Sequence, residues 1–169
     1  MIKFYNIDYN DLLNAYDDFM QYALEQSDLC SVITLLKRGS KNTTRTIHDN
    51  KLQVLNPFLY TQINRIKEWS NGGTRNNYTV MKIYECPDSY ADWKKCVGIF
   101  LLPEIDNLPE DISFYKGNTI WIATVSHEKL AFLYNPSESD LEFLKKRGIK
   151  YYYTAPMNVY KLPFEYNFK

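Results

Sequence analysis

No Walker-type phosphate loop, GxGxxG, GxSxG, HExxH or calcium-binding loop occurs in these 169 residues. The signatures of the common nucleotide-binding, α/β-hydrolase, zinc-protease and EF-hand sites are thus missing. Histidine is scarce. His48 and His127 are the only two, in HDN and HEK contexts, so the paired HxT or HxS of two-histidine phosphoesterases is missing as well. Cys30, Cys86 and Cys96 are odd in number and lack CxxC spacing, which argues against a disulfide framework and against a cysteine-based zinc site. A catalytic thiol would need a neighbouring base to lower its pKa, and no such neighbour can be read from the sequence. Neither a metal nor a cofactor is expected.

An excess of charge is lacking too. Lys plus Arg and Asp plus Glu balance at 20 each, so the basic field that sequence-independent nucleic-acid binders use is absent, and no nucleic acid is expected as a partner. No run of about 18 apolar residues exists for a membrane span, and Met1-Ile2-Lys3-Phe4-Tyr5-Asn6 does not read as a signal peptide. The expectation is a cytoplasmic protein without a membrane partner.

What is present is an ordinary globular composition, 45% hydrophobic and 24% charged, with one outlier, tyrosine at 15 copies. A chain of this length buries roughly two thirds of its unfolded surface and is most simply one domain, residues 1–169. Tyrosine, with an apolar ring and a polar tip, suits half-buried strand faces and protein-binding surfaces alike; codon bias in an AT-rich genome also enriches it.

Periodicity supplies the elements. Leu12, Tyr16, Phe19 and Ala23 recur at three- and four-residue steps, predicting a helix capped by Asp8 or Asn10 and broken at Ser27-Asp28. Leu29, Val32, Ile33, Leu35 and Leu36 continue the same spacing into a second helix ending at Gly39. Lys37 to Lys51 is a polar, basic loop. Asn56-Pro57 resembles a cap followed by a first-turn proline, with Phe58, Leu59, Ile63, Ile66 and Trp69 as a helical stripe. Tyr78 to Tyr84 alternates as a strand, and a short helix is expected over Asp88 to Cys96.

Residues 111–134 read as a three-strand meander, turning at Lys116-Gly117-Asn118 and again at Ser126-His127-Glu128-Lys129. Ser137, with Asp140 three residues on, forms a capping box for a helix that ends in Lys145-Lys146-Arg147 before Gly148. Ile149 to Thr154 returns as a strand. The sum is an α+β domain whose antiparallel sheet of about five strands packs against the N-terminal helices.

Candidate chemistry is thin. His127 sits in a strand connection where an imidazole could act as general base, supported by Glu128 or Asp111. On an extended chain, however, Glu128 would point away from its neighbour. His48, beside Asp49 in the basic loop, joins it only if the fold brings the two loops together. Glu104, Asp106, Glu110 and Asp111 lie within eight residues as an acidic surface loop of the kind that docks on basic sites, and Trp121 in mid-strand could anchor such a contact.

Glu68-Trp69, Gly72-Gly73-Thr74, Tyr84-Glu85-Cys86, the run Leu108-Pro109-Glu110-Asp111-Ile112-Ser113-Phe114-Tyr115, Trp121 and Ser126-His127-Glu128 together span about half the chain. In this combination the sequence resembles an uncharacterised family of small bacterial proteins often labelled stage III sporulation protein AH-like. The resemblance implies a soluble bacterial protein; it carries no established activity and transfers no functional residue.

The leading expectation is therefore a non-enzymatic protein-binding module of the immunity, antitoxin or inhibitor type, linked to a phage or mobile element. Its partner would be a toxin, nuclease or defence protein. A small hydrolase or nucleotide-processing enzyme using His127 is the first alternative, and a small-molecule sponge or sensor with a tyrosine-lined pocket the second.

Overall fold

The structure is a computed structural model and describes residues 3–34, 50, 52–69, 72–73, 79–86, 91, 93, 110–155 and 160–164. Its frame is an antiparallel sheet of eight strands. In chain order the elements are β1 (Phe4–Ile7), α1 (Tyr9–Asn14), α2 (Tyr16–Glu25) and β2 (Leu29–Thr34). A 3-10 turn over Gln53–Phe58 then leads into β3 (Leu59–Asn64), followed by β4 (Glu68–Trp69), β5 (Gly72–Gly73) and β6 (Val80–Glu85). The last part holds β7 (Glu110–Lys116), β8 (Thr119–Val125), a 3-10 turn over Ser126–Glu128, β9 (Leu130–Tyr134), α3 (Glu138–Lys146) and β10 (Tyr151–Thr154). The large sheet runs β10-β1-β9-β8-β7-β2-β6-β3, and β4 pairs with β5 as a separate two-stranded ribbon.

The expected five-stranded α+β layout is thus corrected. Eight strands dominate, and α1, α2 and α3 are short, at six, ten and nine residues. Two segments account for most of the difference. Leu29 to Thr34, read as helix, is central strand β2, between β6 and β7. The stripe from Phe58 to Trp69 is strand β3 and half of the β4–β5 ribbon, and Pro57 lies inside the 3-10 turn rather than opening a helix. β1, four residues long and too short to show a period in the sequence, joins β9 to β10. Of the expected helix over Asp88 to Cys96, only Ala91 and Trp93 belong to the described residues, both helical.

The second half follows its local signals. The meander β7–β8–β9 pairs in order, and Gly117 takes φ +60 in its first turn, where its N–H donates to the Asp28 carboxylate at 2.6 Å. Ser137 and Asp140 form the reciprocal cap of α3, which ends before Gly148 at φ +71. At the other end of the chain, the Asp8 carboxylate accepts from the N–H groups of Asn10 and Asp11 at 3.0 Å and opens α1.

Both sheet faces are covered. On one, α1, α2 and α3 with Leu52, Leu55 and Trp93 enclose Cys30, Val32, Phe114, Trp121 and Ile122. Tyr22 stacks on Phe143 across this layer at 3.9 Å between centroids. α2 alone buries Tyr16, Phe19, Met20, Ala23 and Leu24, on the order of 10 kcal/mol of transfer free energy. On the other face, Leu29, Ile33, Met81, Ile83, Tyr115 and Ile120 pack with Trp69 and Leu162. Among the described residues, no helix is long and apolar enough to cross a membrane.

Candidate functional site

The site begins with a fault in a strand. Between Ser31 and Ile33 the β2–β7 register shifts, and the extra residue on β7 is accommodated at Asp111, whose φ is +51. Left-handed backbone disfavours most side chains but is tolerated by Asp and Asn, whose short polar groups bond locally. A bulge of this kind re-aims a side chain. Here it directs a fully buried carboxylate to the end of β8 and to the β4–β5 ribbon.

Asp111 is held from both sides. Its Oδ2 accepts from the Trp69 indole N–H at 2.9 Å, and its Oδ1 accepts from the Ser126 backbone N–H at 2.8 Å. The Asp111 N–H donates in return to Ser126 Oγ at 3.2 Å. Burial raises the Asp111 carboxyl above its ordinary value of 3.8, more than the Ser126 and Trp69 donors and nearby His127 lower it; Glu128 adds to the rise. Tyr9, hydrogen-bonded to the Ser126 side chain, extends the network, and burial pushes its phenol up to about 12. This polar chain, Tyr9–Ser126–Asp111–Trp69, ties α1, the end of β8, β7 and β4 together through the interior.

From Ser126 the chain makes one 3-10 turn, closed by Lys129 at φ +55, whose N–H donates to the Ser126 carbonyl at 3.1 Å. The turn changes what an extended connection would do. His127 and Glu128 come round to the same side, with Nε2 and Oε1 3.7 Å apart and both side chains more than half exposed. That separation exceeds a hydrogen bond, so Glu128 does not fix the imidazole as a triad acid does.

His127 and Glu128 form one lip of an open cavity of about 350 Å³, lined also by Glu68, Trp69, Gly73, Val125 and Tyr160. Burial, followed by the field of Glu68, raises the Tyr160 phenol above its usual value. Gly73 leaves room at the ribbon: a Cβ there would meet the Lys67 carbonyl oxygen at 3.2 Å. Among the described residues no group of three or more His, Cys, Asp or Glu could share a metal ion.

Of the residues singled out from the sequence, His127, Glu128 and Asp111 converge, the first two on the cavity and the third buried behind Trp69. Trp121 does not join them. It is 3% exposed, on the helix-covered face of the sheet, where its indole N–H donates to Asp140 at 3.3 Å and the Lys116 ammonium lies 3.9 Å from its ring centroid. It is a core residue, not a surface anchor. Glu110 opens β7, and its side chain, with Glu104, Asp106, His48 and most of the basic loop, lies outside the described residues.

Glu68, Gly73, Tyr160 and Tyr9 carry no signal of a site in the sequence, and Trp69 reads there as helical core by default. Of the segments named in the sequence, Glu68-Trp69, Gly73 and His127-Glu128 line this cavity.

Asp140 is the second buried carboxylate, 2% exposed. It accepts from the Tyr22 hydroxyl at 2.7 Å and the Ser137 N–H at 2.8 Å, besides Trp121, with Lys116 3.7 Å away. Burial pushes its carboxyl up, but these donors and the ammonium outweigh burial and leave it below the ordinary value. Tyr22 is driven the opposite way, by burial and then by Asp140. Every contact here serves to cap α3 and dock it on the sheet. No protein-family model, curated protein or solved structure matches this chain.

Proposed function

We propose that the chain is a cytoplasmic protein-binding module of the immunity, antitoxin or inhibitor type, which blocks a toxin, nuclease or defence protein through the face that carries the cavity. One observation carries this reading. The buried carboxylate nearest the cavity has both oxygens engaged, by Trp69 and Ser126, so Asp111 acts as a clamp that rigidifies the walls. At the mouth stand two carboxylates, Glu68 and Glu128, beside the His127 imidazole. A rigid rim of charge is what gives a docking surface its partner selectivity and association rate.

A photo-crosslinking residue at position 128, in cells of the native source, tests the proposal. One partner protein should be captured there and not from position 152 at the far sheet edge, and cells making that partner should survive only when the chain is present. Absence of both results refutes it.

A second reading rests on His127 lining the cavity, where its imidazole would serve as general base for hydrolysis of a small ester or nucleotide. It requires that His127→Ala abolish turnover on a panel of such substrates with unchanged melting temperature. Equal turnover by variant and parent rejects it.

A further inference from the structure

Among the described residues, the seven that line the cavity include two carboxylates and one imidazole, and none of the seven is Lys or Arg. The walls are aromatic: Trp69, whose N–H is turned inward to Asp111, and Tyr160. A third carboxylate, Asp111, lies just behind the indole. Carboxylates in a concave, partly apolar site focus a negative potential, and the faces of Trp and Tyr attract cations. The two carboxylates disfavour an anionic ligand, phosphate included. A volume of about 350 Å³ sits at the small end of ligand pockets, which run from about 300 to 1,000 Å³, and has room for one long side chain.

We infer that this cavity receives a single arginine side chain of the partner protein, its guanidinium lying against Trp69 and Tyr160 and bonded to Glu68 and Glu128. The inference rests on the protein-binding reading above and adds the partner's chemistry. Arginine is favoured over lysine because a planar fork can stack on an aromatic ring and bond carboxylates on both sides at once, whereas an ammonium is a point charge that holds its water more tightly.

The test uses the full chain and three probes: acetyl-arginine amide, acetyl-lysine amide and acetyl-citrulline amide, the last an uncharged isostere. Nitrogen-15 spectra follow the Trp69 indole N–H and the Gly73 and Val125 amides. Arginine amide should shift these signals saturably, at roughly millimolar concentration and more weakly at high salt. Lysine amide should bind less tightly and citrulline amide not at all. Glu68→Gln with Glu128→Gln should weaken arginine binding at least about tenfold, while the indole signal of unliganded Trp69, bonded to Asp111, stays in place to show an intact fold. No saturable shift, or equal shifts with citrulline, overturns the inference. Capture of a partner whose binding survives replacement of all its interfacial arginines also overturns it, yet leaves the protein-binding reading standing. Arginine amide binding in a chain that captures no partner supports the cavity chemistry and refutes that reading instead.

Discussion

Replacing Asp111 with alanine puts the clamp to a quantitative test. The substitution removes the carboxylate that accepts from the Trp69 indole N–H at 2.9 Å and from the Ser126 N–H at 2.8 Å, at a position with no exposure. Each buried donor left unpaired costs about 1–3 kcal/mol. Left-handed backbone at φ +51 adds about 1 kcal/mol for alanine over aspartate. Against these stands the relief of a desolvated charge, since burial already raises this carboxyl. The net expectation is a loss of about 3 kcal/mol, or a fall in melting temperature of about 6–12 °C for a domain of this size.

Trp69→Phe removes one of the donors and should cost about 1 kcal/mol alone. In the double variant, most of that cost should vanish, because the donor Asp111→Ala strands is no longer there. Urea titration of the four proteins gives the coupling. Asp111→Asn supplies the pH arm. A carboxyl whose folded pKa lies above the unfolded value binds its proton more tightly in the native state. The wild-type protein should therefore gain stability relative to the asparagine variant as pH falls through the folded pKa toward about 4. Asp111→Ala within about 0.5 kcal/mol of wild type, or strict additivity with Trp69→Phe, would refute the clamp.

Three further outcomes follow from the same coordinates. Asp140→Asn should cost about 3 kcal/mol, through weakened bonds to Tyr22, Trp121 and Ser137, and should show the opposite pH behaviour. With the folded pKa lowered, Asp140's stabilisation is complete above the unfolded value and lost as pH falls through the folded one, so parallel unfolding profiles for parent and variant below roughly pH 5 would be inconsistent with it. Gly117→Ala should cost about 1 kcal/mol from the positive φ alone, since nothing lies within 4 Å of the added methyl; Gly117→Asn should recover part of that, and a neutral alanine in thermal melts would contradict the turn geometry. Cys86, whose thiol burial and the neighbouring Cys30 raise well above the usual value, should react with iodoacetamide at roughly pH 8 at least about tenfold more slowly in the native protein than in urea, and equal rates by peptide mapping would count against that environment.

The helix of α2, the meander and the capped α3 were legible because each carries its signal locally. A 3.6 period, a Gly-Asn turn and a Ser-x-x-Asp cap mean the same thing wherever the rest of the chain goes. β2 was not legible, for a physical reason. Leu29 to Thr34 is buried along its whole length because the sheet is covered on both faces, so the alternation that marks a half-exposed strand is erased. Leu29, Val32 and Ile33 then mimic helical spacing by accident. β3 failed differently: Pro57 belongs to a 3-10 turn, and the strand after it is an edge with only partial burial, which weakens either periodicity.

The site depends on features that have no period at all. His127 was visible as a rare residue in a turn, and Asp111 as one acid among several, but what joins them is a single inserted residue in β7. Had β7 kept register with β2, a one-residue step would have turned Asp111 to the opposite face, away from Ser126 and Trp69. The shift instead brings a carboxylate inward at a left-handed position, and from there it fixes both the β4–β5 ribbon and the turn that presents His127 and Glu128. Trp121 shows the converse. Its mid-strand place suited an exposed anchor as well as a core residue, and only the docking of α3, through Asp140, decides for the core. The proposed docking cavity is therefore held in shape by one buried carboxylate, and on that proposal substitutions at Asp111 should alter arginine binding there even though its side chain is fully buried.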